Sequence, residues 1–466
     1  MEKKLGLGSL TALVVGSMIG AGVFSLPQNM AAVASPAATL IGWIITGIGM
    51  TFLAFSFLFL SRIKPDIETG VFGYAQAGFG NFIGFNSAWG YWLSATLANV
   101  SYLVIVFSTF GMLFDTPDNI LFGDGNTYLS LAGSSLLLWA IHLLVSKGVQ
   151  TASLINLVTT IAKIVPLGIF IVFAFMAFKW DTFVFDFSGL HFGEETGLLD
   201  QVKACMLITV WVFVGIEGAV IVSSRAKHRQ DIGRATIMGL ATALTIYVLV
   251  SLLSMGVIKP VELAGYDNPS MAVILEHIIG PFGRLLISIA LLISVCGAFL
   301  SWTVLASEAP YLAAKSNMFP SVFSKQNSAG SPINALLLTN GGVQISLLLV
   351  TYLGGTYDKL LIIASEMILV PYFLVAAYML KIAIETKNRG SHLLVGILAT
   401  VYGIWLLYAS GLEYLLLSSL LYLPGVFFYL KARKEHQLTA FNTKDIGLLI
   451  ALVIASMMAV YSLFSG

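Results

Sequence analysis

The sequence predicts an all-α polytopic membrane protein of about 12–13 spans, with its first and sixth spans interrupted. Three observations carry that prediction. Of 466 residues, 58 % are hydrophobic and only 10 % charged, a balance that ordinary soluble domains do not have. The apolar residues gather in runs close to the about 20 needed to cross a bilayer as a helix. Two of those runs, the first and the sixth, place glycine clusters at membrane depth, where an unbroken helix would be the default.

Candidate spans fall near 9–33, 38–61, 80–113, 129–146, 152–178, 201–223, 234–257, 282–314, 334–353, 358–381, 392–410, 412–430 and 445–464. The third and eighth are long enough to be strongly tilted, and Gly411 divides the eleventh from the twelfth. The chain, 1–466, reads as one transmembrane domain. Five helices over 9–178 make a first unit, five over 201–381 a second, and the helices of 392–464 are peripheral. The first apolar run is too long and glycine-rich for a cleaved signal peptide.

Most of the 24 lysines and arginines fall in loops on the N-terminal side, among them Lys3, Lys4, Arg62, Lys64, Lys147, Arg225, Lys387, Arg389 and Arg433. The other side keeps Lys179, Lys259, Arg284 and Lys359. This asymmetry predicts a cytoplasmic N-terminus. The longest outer loops are acidic: 114–128 carries Asp115, Asp118 and Asp124, and 179–200 carries Asp181, Asp186, Glu194 and Glu195.

Net charge is +1, which gives no footprint for nucleic acid. Cys205 and Cys296 lie in apolar runs and form neither a disulfide framework nor a metal cluster. The six histidines are scattered without ligand spacing. No cofactor is expected. The partners predicted at this level are membrane lipid and a second copy of the chain in a homodimer.

The first span contains Gly16-Ser17-Met18-Ile19-Gly20-Ala21-Gly22-Val23-Phe24-Ser25-Leu26-Pro27. Glycine lowers the cost of leaving helical geometry. Proline removes a donor and pushes Leu26 away from the α region. The helix is therefore expected to break near Gly20–Gly22, and irregular backbone at this depth points to a solute site. Close packing of two helices is the other use such glycines have.

The sixth span reads Thr209-Val210-Trp211-Val212-Phe213-Val214-Gly215-Ile216-Glu217-Gly218-Ala219. Two glycines bracket a carboxylate inside the membrane, which costs about 2.5–3.5 kcal/mol and marks a functional residue by default. A protonated, hydrogen-bonded structural acid is the alternative. Two broken spans at corresponding places in two five-helix units form the pattern of an inverted-repeat transporter.

Several stretches carry a family resemblance. GSMIGAGVFSLP on the first span, VWVFVGIEGA on the sixth, LSWTVLASEAPYLAAKSNMFPSVF on the eighth and MILVPYFLVAAY on the tenth resemble the amino acid–polyamine–organocation (APC) transporters. GFGNFIGFNSAWGYWLSA and the run ending in FDFSG resemble the basic amino acid/polyamine antiporter branch, especially arginine/ornithine antiporters. The resemblance covers nearly the whole chain. It implies a LeuT-like fold, a 5+5 inverted repeat working by alternating access.

It also implies roles. The amides of Gly20, Ala21 and Gly22 would meet a substrate carboxylate, and carbonyls near Met18, Trp211 and Val214 its α-ammonium. Trp211 and Trp302 match positions lining the side-chain pocket, where an indole face attracts a cation by about 0.5–2 kcal/mol. Asn99 and Ser94 would contact the distal group, and Tyr91 and Phe213 would gate. In some sodium-independent relatives a fifth-span lysine occupies the place where sodium sits in sodium-coupled members, a role the resemblance implies for Lys163; a snorkelling lysine is the plain alternative. Glu366, before Pro371, stands where the arginine/ornithine branch is expected to carry a small uncharged residue, which makes it a candidate for specificity.

The expected activity is antiport of cationic amino acids, arginine for ornithine. The alternatives are exchange of a basic amino acid for its decarboxylated amine (histidine for histamine, lysine for cadaverine, arginine for agmatine) and proton-coupled uptake. No filter ring, gating-charge helix or nucleophile–base signature argues for a channel or an enzyme.

Overall fold

A computed structural model describes residues 5–67, 69–193, 196–222, 226–353, 357–386 and 390–465. Lys3, Lys4, Glu194, Glu195, Arg225, Lys387, Arg389 and the side chain of Lys359 lie outside the described residues. A bilayer offers no partners for backbone polar groups, so apolar runs of this length must fold as helices.

The first span is split into α1 (Leu7–Met18) and α2 (Gly22–Ala31). There follow α3 (Pro36–Ile63), α4 (Gly70–Phe79), α5 (Asn81–Phe114), α6 (Tyr128–Ser146) and α7 (Val149–Ala177). A short α8 (Trp180–Val184) leads to the second broken segment, α9 (Leu198–Phe213) and α10 (Gly218–Ile221). Next come α11 (Arg229–Val257), the short α12 (Pro260–Leu263), α13 (Ser270–Ile279), α14 (Pro281–Lys315), α15 (Ile333–Leu353) and α16 (Tyr357–Glu385). The chain ends with α17 (Ser391–Ser410), α18 (Leu412–Tyr422), α19 (Gly425–Glu435) and α20 (Thr443–Ser465).

Helix starts follow local chemistry. Ser35 caps α3 by accepting from the Ala38 amide, with Pro36 in the first helical position. Thr127 caps α6 through the Ser130 amide. Gly411, at φ 85°, separates α17 from α18 where the sequence places the division.

Among the described residues, eleven helices are long and apolar enough to cross a membrane, or twelve if α18 and α19 form one span. That pair is the predicted 412–430 span, bent by 40°. The bend falls at Pro424, which has no amide to donate. The sixth segment falls short of spanning length because α9 stops after 16 residues. One local expectation fails: Pro27 lies inside α2, and the chain stays helical through Leu26. Residues Gly22–Pro27 are all buried, and packing of α2 on α9, α11 and α13 holds the helix despite the lost donor.

The broken segments sit at the centre. α1 packs on α7, α11 and α14, while α5 runs along α14 and α16. The first span is 78 % buried along its most apolar stretch and α20 only 17 %, so α20 belongs to the rim. At the end of the bundle that holds the N-terminus, the Lys227 amide donates to the Leu5 carbonyl at 2.7 Å and the Arg229 guanidinium donates to the Pro65 carbonyl. At the opposite end a cavity of about 720 Å³ is lined by Gln28, Ser108, Asp115, Asp124, Tyr266 and Asn268 among others.

Candidate functional site at the two helix breaks

α1 ends at Met18, and residues 19–21 interrupt the helix before α2 resumes at Gly22; Ile19 leaves helical geometry, while Ala21, capping α2, already has helical dihedrals. The break is where the sequence predicts it. The first turn of a helix has no internal acceptors for its amides, so α2 presents those of Ala21 and Gly22 at its positive end. The Gly20 amide differs from expectation: it donates to the Met18 carbonyl at 2.9 Å and is already engaged.

The glycines of this break let aromatic rings touch the backbone. A Cβ on Gly20 would lie 2.8 Å from the Tyr102 hydroxyl. A Cβ on Gly22 would lie 3.0 Å from Val212 Cγ1 and 3.1 Å from Trp211 Nε1. The Tyr102 and Trp211 rings stand 6.4 Å apart. Tyr102 and Trp211 thus flank the break.

The second break runs from Val214 to Glu217. Gly215 holds φ 112°, a conformation that L side chains rarely adopt. Ser17 joins the breaks, its hydroxyl donating to the Gly215 carbonyl at 3.0 Å. The Trp211 carbonyl accepts the Val214 amide at 3.1 Å. Carbonyls retain a second lone pair, so those of Met18 and Trp211 can still accept.

Glu217 is fully buried. Its Oε2 accepts from the Gly215 amide at 3.1 Å and from the Tyr372 hydroxyl at 2.5 Å. Tyr91, also fully buried, faces the same carboxylate. Tyr91 in turn lies 6.3 Å from Trp302, ring to ring. The Trp302 indole donates to the Ser17 carbonyl at 3.0 Å. Phe213, at the end of α9, packs edge-on to Trp43 and Tyr247.

Lys163 is fully buried, and its ammonium donates to the carbonyls of Gly16 at 2.9 Å and Ile19 at 2.5 Å. Ser294 on α14 reaches the carbonyls of Ile19 and Gly20, each at 3.3 Å. The end of α1 is therefore tied to α7 by a cation and to α14 by a hydroxyl. Lys163 does not snorkel.

Asn99 is fully buried, and neither its amide nitrogen nor its oxygen has a hydrogen-bond partner among the described residues. An unsatisfied buried amide costs about 1–3 kcal/mol, which a ligand could offset. Ser94 is occupied, donating to the Ala364 carbonyl of α16 at 2.6 Å. Glu366 is 3 % exposed and lies beside Ser410 of α17.

Sequence reasoning missed Tyr372, Tyr102, Ser17 and Ser294. Ser17 sits inside the glycine motif and so had a local signal. Among the described residues no group of three or more His, Cys, Asp or Glu side chains could hold a metal.

The amino acid permease family matches over residues 5–440. A relative from Escherichia coli with a provisional arginine/ornithine antiporter name is 56 % identical over 464 residues, 99 % of this chain and 100 % of that one. An arginine/ornithine antiporter of Pseudomonas aeruginosa is 48 % identical over 478 residues, covering 100 % of this chain and 98 % of that one. An arginine/agmatine antiporter of Chlamydia felis is 40 % identical, covering 100 % and 97 % respectively. The solved structure of MhsT in complex with L-phenylalanine superposes with a TM-score of 0.61 at 18 % identity, over 86 % of this chain and 97 % of that one. That likeness establishes the LeuT-like fold. The chain is an integral membrane protein and belongs to the amino acid permease family of the APC superfamily.

Proposed function

We propose that the protein is an antiporter exchanging cationic amino acids, arginine for ornithine, by alternating access. The observation that carries the reading is the meeting of two broken helices around a buried carboxylate. Tyr102 and Trp211 close on the first break at Gly20 and Gly22, and Glu217 lies at the second break. Near-full-length relatives named for arginine and ornithine supply the substrate class.

In this reading the amides of Ala21 and Gly22 hold the substrate carboxylate, and the carbonyls of Met18, Trp211 and Val214 hold its α-ammonium. The indole faces of Trp211 and Trp302 receive the side-chain cation, a contact strengthened by desolvation. Asn99 bonds the distal group, with Ser94 entering if it leaves Ala364. Glu217, Tyr91 and Phe213 couple occupancy to the gates. Lys163 takes the place of a sodium ion, and Glu366 tunes specificity. The two five-helix units, 9–178 and 201–381, rock against each other. The membrane in this reading is a bacterial-type cytoplasmic membrane, and the lysine and arginine asymmetry supports a cytoplasmic N-terminus.

A second reading, arginine for agmatine, is favoured by the Chlamydia felis relative. Proteoliposomes loaded with ornithine and given labelled arginine outside separate the two. Strong trans-stimulation by ornithine, with arginine and ornithine the best competitors, supports the first. Exchange against agmatine but not ornithine selects the second.

A further inference from the structure

We infer that Tyr102 and Tyr247 form a phenol wall that reads the substrate carboxylate and so favours amino acids over their decarboxylated amines. The inference rests on the exchange proposed above and adds a specificity element to its site.

Three observations support it. First, the Tyr102 ring lies directly on the break. A Cβ on Gly20 would meet its hydroxyl at 2.8 Å, its Cζ at 3.1 Å and its Cε1 at 3.2 Å. Only a residue without a side chain leaves room for that approach. The phenol thereby reaches the backbone stretch whose next amides, from Ala21 and Gly22, are free to meet an anion.

Second, Tyr247 on α11 is fully buried, and its hydroxyl has no hydrogen-bond partner among the described residues. Its helix packs directly on α2, and its ring meets Phe213, two residues along α9 from the Trp211 that faces Tyr102 at the break. A buried hydroxyl without an acceptor is a standing cost that an arriving carboxylate oxygen can relieve.

Third, Tyr247 is held firmly. Its ring stacks on Trp43 at 6.4 Å and meets Phe213 edge-on at 5.3 Å. Trp43 is itself pinned, its indole donating to Ser251 Oγ at 2.7 Å. The phenol is thus fixed before substrate arrives.

A carboxylate offers about four lone-pair sites. The α2 amides satisfy some, and phenol hydroxyls can fill the rest. An amine lacking the carboxylate gives these donors nothing to bind. Tyr102 and Tyr247 therefore discriminate by a group that ornithine keeps and agmatine lacks.

The test uses the full chain in proteoliposomes, as wild type, Tyr102→Phe and Tyr247→Phe. Labelled arginine uptake gives KM, and unlabelled ornithine and agmatine give inhibition constants. In Tyr102→Phe the arginine KM and the ornithine constant should rise about ten-fold, the scale of one charge-assisted hydrogen bond, while the agmatine constant stays put. Tyr247→Phe should shift the same ratio in the same direction. An unchanged agmatine constant also shows that the variants fold. Equal weakening of arginine and agmatine, or no change in either variant, overturns the wall. Wild type that exchanges neither arginine nor ornithine defeats the antiport reading, and the wall with it.

Discussion

The Lys163 ammonium and the Ile19 carbonyl stand 2.5 Å apart, so a fully buried lysine on α7 holds the last carbonyls of the broken α1. Hydrogen bonds from charged groups contribute about 1.5–3 kcal/mol each, and the proposed role of this ammonium in place of a bound cation has a direct consequence. Exchange is therefore expected to proceed equally in sodium and in choline media. Lys163→Met should lower exchange by about ten-fold or more, because the Gly16 and Ile19 carbonyls lose their buried donor. Flux strictly proportional to sodium would defeat this role.

Gly215 is the next position where geometry dictates an outcome. At φ 112° an L side chain costs about 1–3 kcal/mol. Its Cβ would also meet Ser17 Cβ and Oγ at 2.8 Å. Gly215→Ala should lower the melting temperature in detergent by several degrees and reduce exchange severely. Ser17→Ala, which removes the hydroxyl shared between the Gly215 carbonyl and the Leu13 and Val14 carbonyls of its own helix but adds no strain, should be milder in both measurements. A Gly215→Ala protein with wild-type melting would show that the turn tolerates the strain.

Much of this architecture is legible in the sequence because a bilayer leaves helices as the only option for its apolar runs. Gly20 and Gly22 betray the first break, and Gly215 with Gly218 the second. Tyr102, Tyr247 and Tyr372 are harder to see. An aromatic at helical spacing in an apolar run reads as packing, and nothing local reveals that the Tyr372 hydroxyl meets Glu217 from 155 residues away. Pro27 illustrates the opposite error. Its local signal ends a helix, yet the burial of α2 among α9, α11 and α13 overrides it. The bend at Pro424 follows the local rule where the chain is less enclosed.

Asp115 gives a prediction outside the membrane. Burial pushes its carboxyl up, but the amides of Gly123, Phe122 and Leu121 outweigh burial and hold it below the usual carboxylate range. Those amides lie 2.7 Å, 3.1 Å and 3.0 Å from its oxygens. A depressed native pKa contributes stability that is present above the ordinary carboxylate range and lost as pH falls through the native value. Hydrogen exchange of the 121–123 amides should therefore stay slow on acidification past the ordinary aspartate range, then quicken. Asp115→Asn should expose these amides at neutral pH, with little effect on transport. Fast exchange of the wild-type loop at neutral pH would refute the cap.

Glu366 sets stability against function. Neither oxygen makes a hydrogen bond of ordinary geometry among the described residues, although the carboxyl is nearly buried. It lies beside Ser410, and Phe373, two helical turns on, packs against Gly403 of the same α17. The acid thus addresses the α16–α17 seam. Its influence on substrate would pass through α16, whose Ala364 carbonyl holds the Ser94 hydroxyl. A buried carboxyl short of donors costs about 1–3 kcal/mol, so Glu366→Leu should raise the melting temperature by a few degrees. If the acid tunes specificity, Glu366→Ser should also reorder arginine, ornithine and agmatine as competitors. A stabilised variant with the wild-type ranking and pH profile would reduce Glu366 to a structural acid and leave substrate choice to the helix breaks.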